Sequence, residues 1–87
     1  MGVKGIIFSG HAETKFEVLR EHGFDVSKDV VEAAVRKPDK VEAGHKRRKI
    51  AQMNVSASHV IRVIYEEQES AIKVITFYPG RRDRYED

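Results

Sequence analysis

Pro38 divides this chain into two stretches with different hydrophobic periods. Before it, apolar residues recur at helical spacing; after it, they fall in short β-branched runs separated by turn residues. Proline lacks the amide hydrogen that continues a helical ladder and disfavours helical geometry at the residue before it, so a helix must stop at Lys37. Upstream, residues 3–8 form a short apolar run suited to a strand, broken by Ser9-Gly10. Ser9 is a candidate N-cap for a helix over residues 10–22, with Ala12, Phe16 and Leu19 on its core side. Gly23 stands where a helix-ending residue with positive φ is wanted. Ser27 opens a second helix to about Lys37, with Asp29 near its positive end and Val30, Val31, Ala34 and Val35 as its apolar stripe.

Beyond Pro38 the pattern predicts four strands. These are a short one over residues 40–43, one over 49–55, and two strong ones over 59–66 and 71–78. Gly44 and the basic run after it make the first turn, Ser56-Ala57-Ser58 the second, and Glu67-Gln68-Glu69-Ser70 a hairpin. Pro79-Gly80 is expected to end the sheet, leaving a charged tail. The order β-α-α-β-β-β-β, with helices grouped before strands, predicts one α+β domain over residues 1–87, its two helices packed on an antiparallel sheet. Both faces of the strong strands carry apolar residues. Ile61, Val63 and Tyr65 oppose Val60, Arg62 and Ile64; Ala71, Lys73, Ile75 and Phe77 oppose Ile72, Val74, Thr76 and Tyr78. One face must cover the helices, and the other is a covered or partner-binding surface.

Composition removes several function classes. The chain has no cysteine, which excludes disulfides, thiolate metal sites and cysteine nucleophiles. Its four histidines show no metal-ligand spacing, and no phosphate-loop or dinucleotide glycine pattern is present. A domain of 87 residues leaves little room for an enclosed cofactor cavity, so no cofactor or metal is expected. No apolar run approaches the ~20 residues of a membrane span, and the N-terminus lacks a secretion-type apolar region, so a cytoplasmic location is expected. Net charge is only +2, but residues 1–44 hold seven Lys/Arg against eight Asp/Glu, whereas residues 45–87 hold nine against six. That second half contains His45-Lys46-Arg47-Arg48-Lys49 and Arg81-Arg82-Asp83-Arg84, a distribution that suits a polyanion.

Several residues carry chemistry fit for RNA. Tyr78 and Tyr85 bracket Arg81, Arg82 and Arg84; guanidinium groups bind phosphate with forked hydrogen bonds, and aromatic rings stack on unpaired bases. Arg62 lies mid-strand, where its charge needs a partner or an open face. His11, in the first turn of the first helix, either moves a proton near a phosphate or simply caps structure. Metal-free cleavage by the RNA 2′-hydroxyl needs an aligned phosphate, cations and a proton donor and acceptor, all of which Arg, Lys, His and Tyr supply.

Three segments in order carry a family likeness. They are Phe8-Ser9-Gly10-His11-Ala12 with Lys15 and Arg20-Glu21-His22-Gly23; residues 31–41 with Lys37-Pro38-Asp39; and residues 59–65 leading to Ile72-Lys73-Val74-Ile75-Thr76-Phe77-Tyr78-Pro79. The chain resembles small prokaryotic domains related to the BrnT and RelE-type toxins. That resemblance implies the RelE/BrnT-like fold and a metal-independent endoribonuclease of a type II toxin–antitoxin system. Such an enzyme acts on mRNA, often at the ribosome, and is silenced by a small antitoxin protein. On this chain it implies His11, Arg62, Tyr78 and Arg81 as catalytic positions, with phosphate contact from Arg62 and Arg81 and proton transfer from His11 or Tyr78. Arg47, Arg48, Lys49, Arg82 and Tyr85 are the accompanying nucleic-acid contacts. Two other readings stand beside it: a non-enzymatic nucleic-acid-binding module, and a protein-interaction domain that pairs as a homodimer through its second sheet face.

Overall fold

Each helix begins at a serine whose side chain caps it. The computed structural model describes residues 4–85, and in it Ser9 Oγ accepts from the Ala12 amide at the start of α1 (Gly10–Glu21). Ser27 does the same for Val30 at the start of α2 (Lys28–Arg36). Each cap satisfies one of the amides that a helix N-terminus leaves without a partner. Ser9 has a second role: its hydroxyl donates to the Ile75 carbonyl at 2.7 Å, tying the helix start to the sheet. Gly23 ends α1 with φ of 87°, a left-handed conformation that glycine adopts without a side-chain clash. The stop before Pro38 falls where expected, with α2 ending at Arg36 and Lys37 as its C-cap.

Five strands form one sheet: β1 (Gly5–Phe8), β2 (Lys40–Ala43), β3 (Arg48–Asn54), β4 (His59–Glu67) and β5 (Ala71–Arg81). Their spatial order is β1-β5-β4-β3-β2. The last four make the expected antiparallel meander, but the sheet as a whole is mixed. The expectation of an antiparallel sheet is corrected by β1, which pairs parallel with β5 from Gly5↔Ala71 to Phe8↔Val74. The two helices carry the chain away after β1, and the meander then brings its last strand back beside the first. Val3, assigned to the first strand by sequence, lies outside the described residues.

Two further corrections concern β5. A register shift between Ile64 and Tyr65 pairs Ile64 with Thr76 but Tyr65 with Val74. Ile75 is therefore a bulge, and Val74 and Phe77 both face the helices, where strict alternation sets them on opposite faces. Pro79-Gly80 does not end the sheet: β5 runs on to Arg81, pairing Pro79 with Ile61 and Gly80 with Val60. Beyond Val74, β5 has left β1 behind and is an edge strand, where proline's missing donor costs no ladder bond. The segment after it is no free tail either. It forms a short helix, α3 (Arg82–Tyr85), with the Arg82 amide on the Ser58 carbonyl at 2.8 Å.

The core lies between α1, α2 and one sheet face. It joins Ala12, Leu19, Val31, Ala34 and Val35 to Ala51, Ile61, Val63, Tyr65, Val74 and Phe77. Phe16 packs its ring 4.6 Å from that of Phe77 and 5.6 Å from that of Phe8. Among the described residues this is an α+β fold, with α1 and α2 on one face of a five-stranded mixed sheet and the short α3 reaching over the other.

Candidate functional site

Strand pairing fixes which side chains share the second face. The row through Lys40, Gln52, Arg62 and Tyr78 crosses β2, β3, β4 and β5 in register. It is one residue out of step with the core row through Ala51, Val63 and Phe77, so it points away from the helices. Arg62, at its centre, is only 5% exposed. A guanidinium buried that far needs its hydrogen bonds met. Its Nε donates to the Tyr78 hydroxyl at 3.0 Å, and its Nη1 donates to Gln52 Oε1 at 2.5 Å and to Glu42 Oε2 at 3.2 Å. Burial works to lower the Arg62 pKa, but the bonds to Tyr78 and Glu42 outweigh it and hold the group charged.

Tyr85 of α3 closes this row from above. Its ring centroid lies 4.3 Å from the Arg62 guanidinium carbon, a cation–π stack. Its backbone carbonyl accepts from Lys40 Nζ at 3.2 Å and from Gln52 Nε2 at 3.4 Å. Gly80 makes room for the ring, because a Cβ there would sit 2.5 Å from Tyr85 Cε2. Val60, paired with Gly80 on the same face, is fully buried although it belongs to no helix-facing core.

Two carboxylates stabilise this architecture in a pH-dependent way. The hydrogen bond from Arg62 holds the Glu42 pKa below its usual value, helped by the charges of Arg62 and Lys40. Glu67 is held low by its bonds to Lys4 and then Lys49. A carboxylate with a lowered folded-state pKa adds stability above its ordinary value of 4.5, and that stability fades as the pH falls through the lowered value. Urea midpoints are therefore expected to hold from pH 7 to pH 5 and fall below about pH 4.5, with a smaller fall in Glu42→Gln. An identical acid limb in the variant shows that Glu42 contributes nothing.

A groove opens at the end of the sheet where β4 begins and β5 ends. Its volume is about 340 Å³, and Phe24, His59, Arg81, Arg84 and Tyr85 line it beside Pro79 and Gly80. Ligand sites commonly start at about this size. Phe24 comes from the α1–α2 loop, pinned by its amide on the Leu19 carbonyl at 2.8 Å, and its ring centroid is 6.0 Å from that of His59. His59 Nδ1 is hydrogen-bonded to Ser58 Oγ at 2.9 Å, which orients the imidazole. Arg81 is His59's cross-strand partner and lies 3.6 Å from Asp83 in an exposed ion pair. Arg84 is exposed.

The residues singled out by sequence do not converge on one place. Tyr78 and Tyr85 both contact Arg62. Arg81 is at the groove instead, and Arg82 is held beside Ser58. Arg47, Arg48 and Lys49 lie at the opposite end of the sheet. Arg48 pairs with Glu66 and Arg81 with His59, a separation of about 23 Å along β4 at ordinary strand rise. His11 is exposed on α1, on the helix side of the sheet, and makes no hydrogen bond or ion pair with the described residues. Reading by segment overlooks Glu42, Gln52, Phe24 and His59 as site residues, whereas Arg84 stands out only as one arginine of the tail. Gln52 gave one signal, a polar residue inside a buried strand, but its partner depended on register. Among the described residues no three metal-binding side chains cluster, and no helix is long and apolar enough to cross a membrane.

Comparison with protein-family models, curated proteins and solved structures found no match. The functional reading therefore rests on the chain's own chemistry.

Proposed function

We propose that this chain is an RNA-directed, toxin-like domain that takes single-stranded RNA in the groove between β4, β5 and α3. The observation that carries this reading is the meeting of two exposed arginines, an oriented imidazole and two aromatic rings around one opening. Arg81 and Arg84 suit phosphate oxygens, and the Phe24 ring suits an unpaired base. For cleavage, His59 takes the proton of the 2′-hydroxyl as its oxygen attacks phosphorus. The 5′-oxygen then leaves and is protonated in turn, while the arginines hold the charge on the phosphoryl oxygens. No metal is needed. An antitoxin that covers the same groove would silence it.

A second reading is a non-enzymatic RNA-binding module of the same fold. It is favoured by one observation: His11 stands apart from Arg62 and Tyr78, so the groove holds a single imidazole to serve both proton transfers. One experiment separates the two. A short single-stranded RNA is titrated at several salt concentrations, and its integrity is followed with EDTA present. Binding is expected to weaken with salt, and Arg84→Ala is expected to weaken it and reduce the salt slope by about one. Cleavage lost in His59→Ala supports the enzyme. Binding without cleavage supports the module, and affinity indifferent to salt and to Arg84 overturns both.

A further inference from the structure

The occupant of the Arg62 row belongs to the chain itself. A carbonyl oxygen of Tyr85 takes two donors, Lys40 Nζ and Gln52 Nε2, while the flat ring of the same residue lies on the Arg62 guanidinium. An oxygen acceptor and a planar ring, joined by a short backbone, are what one nucleotide presents through its phosphate and base. We propose that Lys40, Gln52 and Arg62 form a second nucleotide site, which the α3 segment fills in the closed state. This rests on the RNA-directed reading for its natural ligand, one nucleotide of the bound strand.

Three observations support it. The donors come from three adjacent strands in register, so they are held as a rigid row and not as loop side chains. Glu42 lies 3.5 Å from Lys40 and 3.2 Å from Arg62, so one carboxylate bridges the two cations and holds them in the same row. The cover is a four-residue helix at the end of a strand, and it is seated only because residue 80 has no side chain. A single helical turn opens more readily than the sheet beneath it.

Affinity for a ligand that needs the open state is reduced by the fraction of molecules that are open. Gly80→Ala forces the Tyr85 ring off its seat and leaves Lys40, Gln52 and Arg62 untouched. Adenosine 5′-monophosphate, titrated by NMR into the full chain, is expected to bind Gly80→Ala about tenfold more tightly than the native protein. Tyr85→Ala, which removes the ring without crowding the strand, is expected to act in the same direction. Adding Gln52→Ala to either variant is expected to abolish the gain, because that side chain lies outside the groove. Inorganic phosphate is expected to bind less tightly than the nucleotide, since it offers nothing to stack on Arg62. The proposal is overturned if neither variant binds more tightly, or if the gain survives loss of Gln52. The groove reading fails separately, through Arg84→Ala leaving RNA affinity unchanged.

Discussion

Phe77→Ala is expected to lose about 3–5 kcal/mol of stability, the range for emptying a buried aromatic site. That is a large part of the ~5–15 kcal/mol that holds a natural domain together. Phe77 is fully buried, pairs with Val63 in the centre of the sheet, and supports the Phe16 ring that in turn meets Phe8. Its removal leaves a void between α1 and β5 that backbone hydrogen bonds on both sides prevent from collapsing. Urea unfolding followed by circular dichroism measures the loss as a lower midpoint at an unchanged slope. Ile75→Ala is the informative comparison. Strict alternation puts Ile75 on Phe77's face, whereas the bulge leaves it half-buried and outside the core. A loss at Ile75 as large as that at Phe77 means the bulge is misplaced.

The second large effect is expected at Arg62. Truncation to alanine removes three hydrogen bonds and the platform under Tyr85, and it leaves the buried Gln52 amide without its donor. Bonds to a charged group contribute about 1.5–3 kcal/mol each, but here they share one guanidinium and part of their partners' surface is wet. A total loss of about 2–3 kcal/mol is expected, read as a lower urea midpoint. Arg62→Lys is expected to recover less than half of it, because an ammonium cannot direct a fork at Tyr78 and Gln52 while lying flat under a ring. Full recovery with lysine means that charge alone matters at this position. The same result governs functional assays. Lost activity in Arg62→Ala mixes a structural defect with any loss of phosphate contact, so Gln52→Ala and Arg84→Ala are the cleaner probes of the two sites.

The basic clusters show why charge counts along a chain do not locate a surface. Both lie in the second half of the sequence, yet β4 holds them at opposite ends of the sheet. Arg81 lies near Arg62 in the sense that both belong to paired strands. It nevertheless reaches the groove, while Arg62 is roofed over, because three residues along a strand reverse the facing side. Phe24 and His59 are 35 residues apart and attracted no attention as a pair, but the loop after Gly23 brings their rings within 6.0 Å.

Much was legible from local sequence. Ser9 and Ser27 as caps, Gly23 as a left-handed stop, Pro38 as a barrier, the turn at Ser56 and the hairpin turn, which starts at Gln68 because Glu67 still belongs to β4, each act through backbone chemistry within a few residues. Such features are determined before any long-range contact forms. The parallel pairing of β1 with β5, the Ile75 bulge, the continuation of β5 through Pro79 and the folding of Tyr85 onto Arg62 were decided by the tertiary structure. Each depends on which distant strand supplies the neighbour, and that choice reflects packing free energy summed over the whole core and not the preference of any one segment.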